Sequence, residues 1–138
     1  ATMTKFNQVV YKNNLYSLLY GETDDFKQVD HKHCRLGNWY YEGIGKSEFN
    51  KTKSYPKLEA PHANVHIKAN QLADECSGGE AVCSKDHIEE MIKDIEENSK
   101  EVFKYLDAMV EEKSELMMKK AASDLFQSPT NKKAKKER

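Results

Sequence analysis

The sequence contains a cysteine and two histidines whose types and spacing suit a metal site. Cys34 lies on a short segment followed by Gly37, and His62 and His66 lie four residues apart behind Pro61. On a helix, side chains at i and i+4 project from one face, with Cβ atoms about 5–6 Å apart. A thiolate and two imidazoles are ligands that zinc prefers. The sequence therefore predicts a zinc site built from Cys34, His62 and His66.

The residues around these three positions resemble a known family. Residues 34–39 read Cys-x-Leu-Gly-x-Trp, and residues 62–66 read His-x-x-x-His. Both runs, with their flanks at 30–31, 39–45 and 54–62, are similar to the chemoreceptor zinc-binding (CZB) domain, and the resemblance covers residues 4–110. It implies zinc as cofactor, a homodimeric bundle of the four-helix type, and attachment to a chemoreceptor signalling domain in the cytoplasm.

The resemblance also implies a first histidine ligand on the opening helix, and here the sequence departs from the family. The family pattern is His-x-x-aromatic, whereas this chain has Gln8 followed by Tyr11. An amide oxygen is a hard, weak donor and a poor substitute for imidazole on zinc. Gln8 is therefore counted as a site residue only because the resemblance implies the first ligand at this position. It is either a change that weakens the site or a natural variant with labile or lost zinc, and both explanations stay open.

Two further histidines lie close to the cysteine. His31 and His33 could each complete a tetrahedron, but their short separation from Cys34 makes shared coordination awkward on a short helix. In the family pattern His31 follows Asp30, which implies a role in supporting a ligand or in capping. His31 is thus a supporting residue or a replacement for the missing ligand. No role is assigned to the candidate ligands outside the motif: Cys76, Cys83 and His87.

Length and composition favour a single helical domain. The chain has 138 residues, enough to bury a core without disulfides, and 33% of them are charged. The mean hydropathy of -0.88 fits a slim helical bundle. A net charge of -1 gives no reason to expect a nucleic-acid partner or membrane contact.

Three further features indicate a cytoplasmic compartment. No apolar run approaches the roughly 20 residues of a membrane span, and the start lacks the build of a signal peptide. The number of cysteines is odd, 3 in total, and Cys34 beside histidines is typical of a ligand or reactive thiol. A reducing cytoplasm is therefore the expected compartment.

Apolar periodicity and breaker residues predict the elements that position these side chains. An all-α fold is expected, an antiparallel four-helix-type bundle whose short helices and loops carry the cysteine motif. Asp30 would cap a short helix that carries Cys34 and ends at Gly37, and a second short turn would begin at Asn38 and end at Gly43 and Gly45. The longer elements are a helix at 4–20, a loop at 46–54, a helix from Pro56 to Cys76 with both site histidines, and a long helix at 80–118. Residues 1–120 would form the zinc-binding domain, and 121–138 a disordered basic tail.

The pattern favours a sensor over an enzyme. Three strong ligands with Gln8 in the fourth position resemble the ligand set of a catalytic zinc site, which keeps one position open for water. However, no glutamate lies in a His-Glu-x-x-His arrangement, where it could act as general base. A zinc-bound Cys34 thiolate is nucleophilic toward oxidants. The resemblance implies a sensor of zinc or of oxidants such as hypochlorous acid. The alternative is a structural dimerisation bundle with no functional metal. A di-iron bundle would need more histidines and carboxylates at fixed spacing.

Overall fold

Apolar residues that recur every three or four positions fold this chain into helices. The structure is a computed structural model that describes residues 2–22, 26–77 and 82–126. Within them it contains five helices and no strand: α1 (Thr2–Leu19), α2 (Arg35–Tyr41), α3 (Ile44–Phe49), α4 (Glu59–Cys76) and α5 (Lys85–Phe126). The predicted all-α bundle is therefore confirmed. No helix in the described ranges is long and apolar enough to cross a membrane.

The three long helices α1, α4 and α5 form the frame of the bundle. Four polar contacts show their directions: Lys5–Asp107 and Lys12–Glu96 between α1 and α5, and Asn64–Asn98 and Lys68–Asp94 between α4 and α5. In each pair of contacts, the residue number rises along α1 or α4 while the number of its partner falls along α5. Both helices are therefore antiparallel to α5 and parallel to each other.

Buried aliphatic side chains hold this frame together. Leu15 of α1, Leu72 of α4, and Ile95 and Leu106 of α5 are all 0% exposed. Burying one such side chain contributes about 1.5–3 kcal/mol. Leu36 of α2 is equally buried, so the short helix is anchored against the long ones. The core thus fixes the start of α2 relative to α1 and α4.

The prediction that Gly37 ends a helix carrying Cys34 is wrong. Cys34 is instead the N-cap of α2, where its Sγ accepts a hydrogen bond from the Gly37 backbone N at 3.3 Å, and Gly37 lies inside the helix. A Cβ at Gly37 would lie 2.1 Å from the backbone O of His31, so a close approach explains the glycine. The segment before Cys34 is a turn, in which Asp30 Oδ1 accepts from the backbone N atoms of Lys32 and His33 at 2.9 Å.

Other predicted boundaries also shift. Asn38 lies within α2, Gly43 is the N-cap of α3, and α3 occupies part of the predicted loop at 46–54. Gly45 allows this helix to form against α2, because a Cβ there would lie 2.6 Å from the Trp39 ring and backbone.

The two predicted long helices begin later than expected, at Glu59 and Lys85. Helix α5 also continues to Phe126 and so enters the segment predicted as a disordered tail. The rest of that segment, residues 127–138, lies outside the described residues.

Candidate metal centre

Three predicted site residues converge where the start of α2 meets α4. Cys34 Sγ lies 3.2 Å from Nε2 of His62, and the rings of His62 and His66 have centroids 5.0 Å apart. One ligand atom from each of the three residues lies within 4.8 Å of the others. Sulfur and nitrogen ligands of one tetrahedral zinc are about 3.5 Å apart. The arrangement therefore needs only small side-chain movements to enclose a zinc ion.

His66 is held in a single orientation by its surroundings. Its Nδ1 lies 2.7 Å from the carbonyl O of Val29, to which it donates, and the Tyr11 ring stacks on it at a centroid distance of 4.4 Å. Asn70 Nδ2 donates to the same carbonyl at 3.1 Å. With the proton on Nδ1, the Nε2 lone pair of His66 is free for a metal.

Burial keeps both histidines neutral. His62 and His66 are each 1% exposed. Burial lowers the pKa of His62 to about 3, and the neighbouring His66 and His31 add to this effect. Burial also lowers the pKa of His66, against the opposing hydrogen bond to Val29. Neutral imidazole is the form that binds a metal, so neither histidine has a proton to lose at neutral pH.

The Cys34 thiol is free and half-buried. Burial raises its pKa, while hydrogen bonds from the backbones of Gly37 and Leu36 and from the Gln8 side chain act in the opposite direction. In the metal-free protein the protonated thiol is therefore the dominant form at neutral pH. A bound metal would deprotonate it, and the N–H groups at the start of α2 would stabilise the resulting charge.

Gln8 faces the same space from α1, as the resemblance implies. It is 2% exposed, and its Nε2 lies 3.6 Å from Cys34 Sγ and 3.5 Å from Nε2 of His66. Rotation of the amide would turn its oxygen toward the space between Cys34 and His66. That oxygen is a weak ligand for zinc. The donor set thus fits zinc with three strong ligands and a fourth position open to the amide oxygen or water. That these residues bind the metal stays a prediction at this point.

The two other histidines near Cys34 lie at the edge of this cluster or away from it. The His31 ring approaches the His62 ring edge-on, with centroids 5.7 Å apart, but His31 is not among the converging ligand atoms. It therefore stays a predicted supporting or replacement residue. His33 is exposed, and its Nδ1 lies 2.7 Å from Asp30 Oδ1.

Sequence reasoning missed a second group of metal-ligating side chains. Cys76, Cys83 and His87 also have ligand atoms within 4.8 Å of one another, and the two cysteines form a disulfide. Cys83 and His87 are spaced i, i+4, as are the two site histidines. This repeated i, i+4 spacing is the feature of the sequence that could have indicated the second cluster.

Comparison with known proteins identifies one family. The family described as "Chemoreceptor zinc-binding domain" matches residues 8–73. This range contains Gln8, Cys34, His62 and His66 and ends before Cys76. No curated protein and no solved structure gives a significant match.

Proposed function

We propose that the chain is a cytoplasmic sensory domain of a chemoreceptor, because residues 8–73 match the chemoreceptor zinc-binding domain family. Zinc is the cofactor of this family, and the family functions in signal transduction and chemotaxis. The proposed stimulus is zinc itself or a two-electron oxidant such as hypochlorous acid. The proposed output is a conformational signal to an attached signalling domain.

The observation that carries the proposal is the convergence of one thiol and two neutral imidazoles. Cys34, His62 and His66 are the proposed zinc ligands, because their ligand atoms lie within 4.8 Å of one another and both histidines are buried. When bound, zinc would keep Cys34 deprotonated at neutral pH and link the start of α2 to α4. Gln8, at the position of the family's first ligand, leaves this link weaker than a histidine would.

Oxidation of Cys34 would break the link. The thiolate attacks hypochlorous acid, and the sulfur loses two electrons and becomes a sulfenic acid. The hydroxyl group of the reagent ends on the sulfur, and its chlorine leaves as chloride. The sulfur loses its negative charge and no longer attracts a cation beside His62 and His66. The start of α2 is then free to move relative to α4, and Gln8 loses its neighbour across the site. We propose that α1 transmits this change, since Gln8 and Tyr11 both lie on it.

An exposed apolar stripe on α1 supports the proposed homodimer. Met3, Phe6 and Val10 are 64%, 60% and 39% exposed, and their spacing places them on one face of the helix. A second copy of the chain would cover this face. We retain residues 1–120 as the proposed extent of the domain, although the helix α5 continues beyond it.

The test is exposure of a zinc-loaded Cys76→Ser/Cys83→Ser protein, in which Cys34 is the only cysteine left, to one equivalent of hypochlorous acid. We expect loss of zinc together with oxidation of Cys34, read by a zinc-sensitive dye and by mass spectrometry of the peptide that a glutamate-specific protease releases between Glu22 and Glu42. The matched control is a Cys34→Ser protein. In this protein the oxidant should neither oxidise position 34 nor release zinc. Unchanged Cys34 and unchanged zinc after treatment would reject the redox part of the proposal.

A structural dimerisation bundle is the second candidate function. It is favoured by the hydrogen-bond contacts that Gln8 makes with Cys34 and His66 in the absence of metal, since these satisfy the buried amide. Metal removal separates the two candidates. A purely structural bundle would keep its helicity and melting temperature unchanged by chelator, whereas a zinc-linked bundle would melt lower.

A further inference from the structure

The second ligand cluster lies at the closed end of the hairpin formed by α4 and α5. Cys76 is the last residue of α4, and its Cα lies 5.4 Å from that of Cys83 in the disulfide. His87 lies in the first turn of α5, beside Glu75 of α4. The cluster is ten residues beyond His66 on α4, which corresponds to about 15 Å along the helix. It is therefore separate from the site described above.

We propose that Cys76, Cys83, His87 and Glu75 form a second, redox-controlled zinc site. In the reduced protein the two thiolates, the imidazole and the carboxylate bind the metal. In the oxidised protein the disulfide removes both sulfur ligands and the site is lost.

Three of the four proposed ligands already converge, and Glu75 adjoins them through His87. One ligand atom each from Cys76, Cys83 and His87 lies within 4.8 Å of the others. His87 Nε2 lies 3.3 Å from Oε2 of Glu75, and nitrogen and oxygen ligands of one tetrahedral zinc are also about 3.3 Å apart. Two sulfur ligands of such a zinc are about 3.8 Å apart. Cleavage of the disulfide and a small separation of the sulfurs would therefore prepare three ligands, and a movement of the Glu75 carboxylate toward the sulfurs would supply the fourth.

Local hydrogen bonds hold these ligands in place. Ser84 Oγ accepts from the His87 backbone N at 3.1 Å, which caps α5 and fixes the turn that carries Cys83 and His87. Gln71 Nε2 donates to Oε1 of Glu75 at 2.9 Å, so that the other carboxylate oxygen is turned toward His87. The positive end of α5 would also stabilise a Cys83 thiolate.

Access to the site is from one side. Cys76 is 0% exposed, whereas the side chains of His87 and Glu75 are 42% and 44% exposed. A metal or a small oxidant could therefore reach the cluster from the side of His87 and Glu75. The buried Cys76 sulfur then requires Cys83 to react first with any reagent in solution.

The redox step balances with a two-electron oxidant such as hypochlorous acid. The two sulfurs together lose two electrons and form the S–S bond, and the oxidant is reduced to chloride and water. From two thiols, one proton is released to solution. A dithiol reductant reverses the reaction by supplying two electrons and two protons. Metal binding and disulfide formation therefore exclude each other at this site.

The test measures zinc per chain on the 138-residue protein in which the first site is disabled by Cys34→Ser. The protein is reduced with a phosphine or oxidised with diamide, loaded with zinc, desalted and analysed by elemental mass spectrometry. The reduced form should hold about one zinc per chain and the oxidised form less than about a tenth of that. A Cys34→Ser/Cys76→Ser/Cys83→Ser protein is the matched control and should bind none in either state.

Two single changes test the remaining ligands. His87→Gln and Glu75→Gln, each in the Cys34→Ser protein, should weaken zinc binding by about 10-fold or more. Helicity by circular dichroism verifies folding, and His62→Gln replaces Cys34→Ser as the background if that variant does not fold. Equal zinc content in the reduced protein and in its counterpart without Cys76 and Cys83 would overturn the proposal. All these proteins lack a ligand of the first site. Their zinc content therefore tests the second site alone, whether or not the proposal for the first site is correct.

Discussion

Nε2 of the Gln8 amide lies 3.5 Å from Nε2 of His66, inside the buried space that Cys34 and His62 also face. Helix α1 thus contributes an uncharged amide at the position where the resemblance implies an imidazole. The amide satisfies its neighbours without a metal, but it is a weak ligand when a metal is present. We therefore expect position 8 to determine how strongly α1 is tied to a bound metal.

Gln8→His should raise the affinity for zinc by about 10-fold or more, because even residues that only support a ligand change affinity by 10–100-fold. Competition against a chromophoric chelator measures the change. The matched control is Asn14→His, which adds a histidine at an exposed position of α1 and should leave the affinity unchanged. Equal affinities for the parent and Gln8→His proteins would show that position 8 does not contact the metal.

Gly37→Ala should destabilise the fold and displace Cys34. The added Cβ would lie 2.1 Å from the His31 backbone O and 2.7 Å from the Lys32 carbonyl, and these backbone atoms cannot rotate away. We expect a loss of about 1–3 kcal/mol in the free energy of unfolding, measured by urea denaturation, together with weaker zinc binding. Asn38→Ala, at an exposed neighbouring position of α2, is the control. An unfolding free energy within about 0.5 kcal/mol of the parent would contradict the close approach.

The metal-free protein should lose stability as the pH falls below 6.5. Burial lowers the pKa of His62 from 6.5 to about 3 and also lowers that of His66, so the unfolded chain binds more protons than the folded one in this range. The stabilisation is fully present above pH 6.5 and is lost as the pH falls toward the folded pKa. Each histidine contributes a slope of up to about 1.4 kcal/mol per pH unit.

Urea denaturation between pH 6.5 and 5, with chelator present, measures this slope before most carboxylates titrate. His66→Gln should make it shallower. A stability that does not change across this window would mean that the two histidines are not buried as neutral groups.

Residue type, local spacing and the resemblance together predicted which side chains converge. His62 and His66 are one helical turn apart, so any helix through them brings their rings together. The thiol of Cys34 stood out by its residue type, and the resemblance supplied the position of Gln8. The details around Cys34 depend on contacts distant in sequence or specific to the turn. Gly37 is typical of a helix end, and only its approach to the turn at His31 places it inside α2.

The second cluster was missed for a similar reason. Cys76 and Cys83 come together because α4 and α5 pack as an antiparallel pair that closes the connection between them. The spacing of two cysteines alone does not determine whether their Cα atoms come within disulfide range. The extent of α5 was also underestimated, because its last turns are exposed and carry no apolar pattern against the core.

The most direct test of the account is the zinc content of protein purified without chelator. Elemental mass spectrometry is applied to a Cys76→Ser/Cys83→Ser protein, which lacks the second cluster, and to the same protein with Cys34→Ser added. The account predicts about one zinc per chain in the first and less than about a tenth of that in the second, because Cys34, His62 and His66 supply three strong ligands. Equal zinc content in the two proteins, whether none or one per chain, would contradict the claim that Cys34 anchors a zinc site.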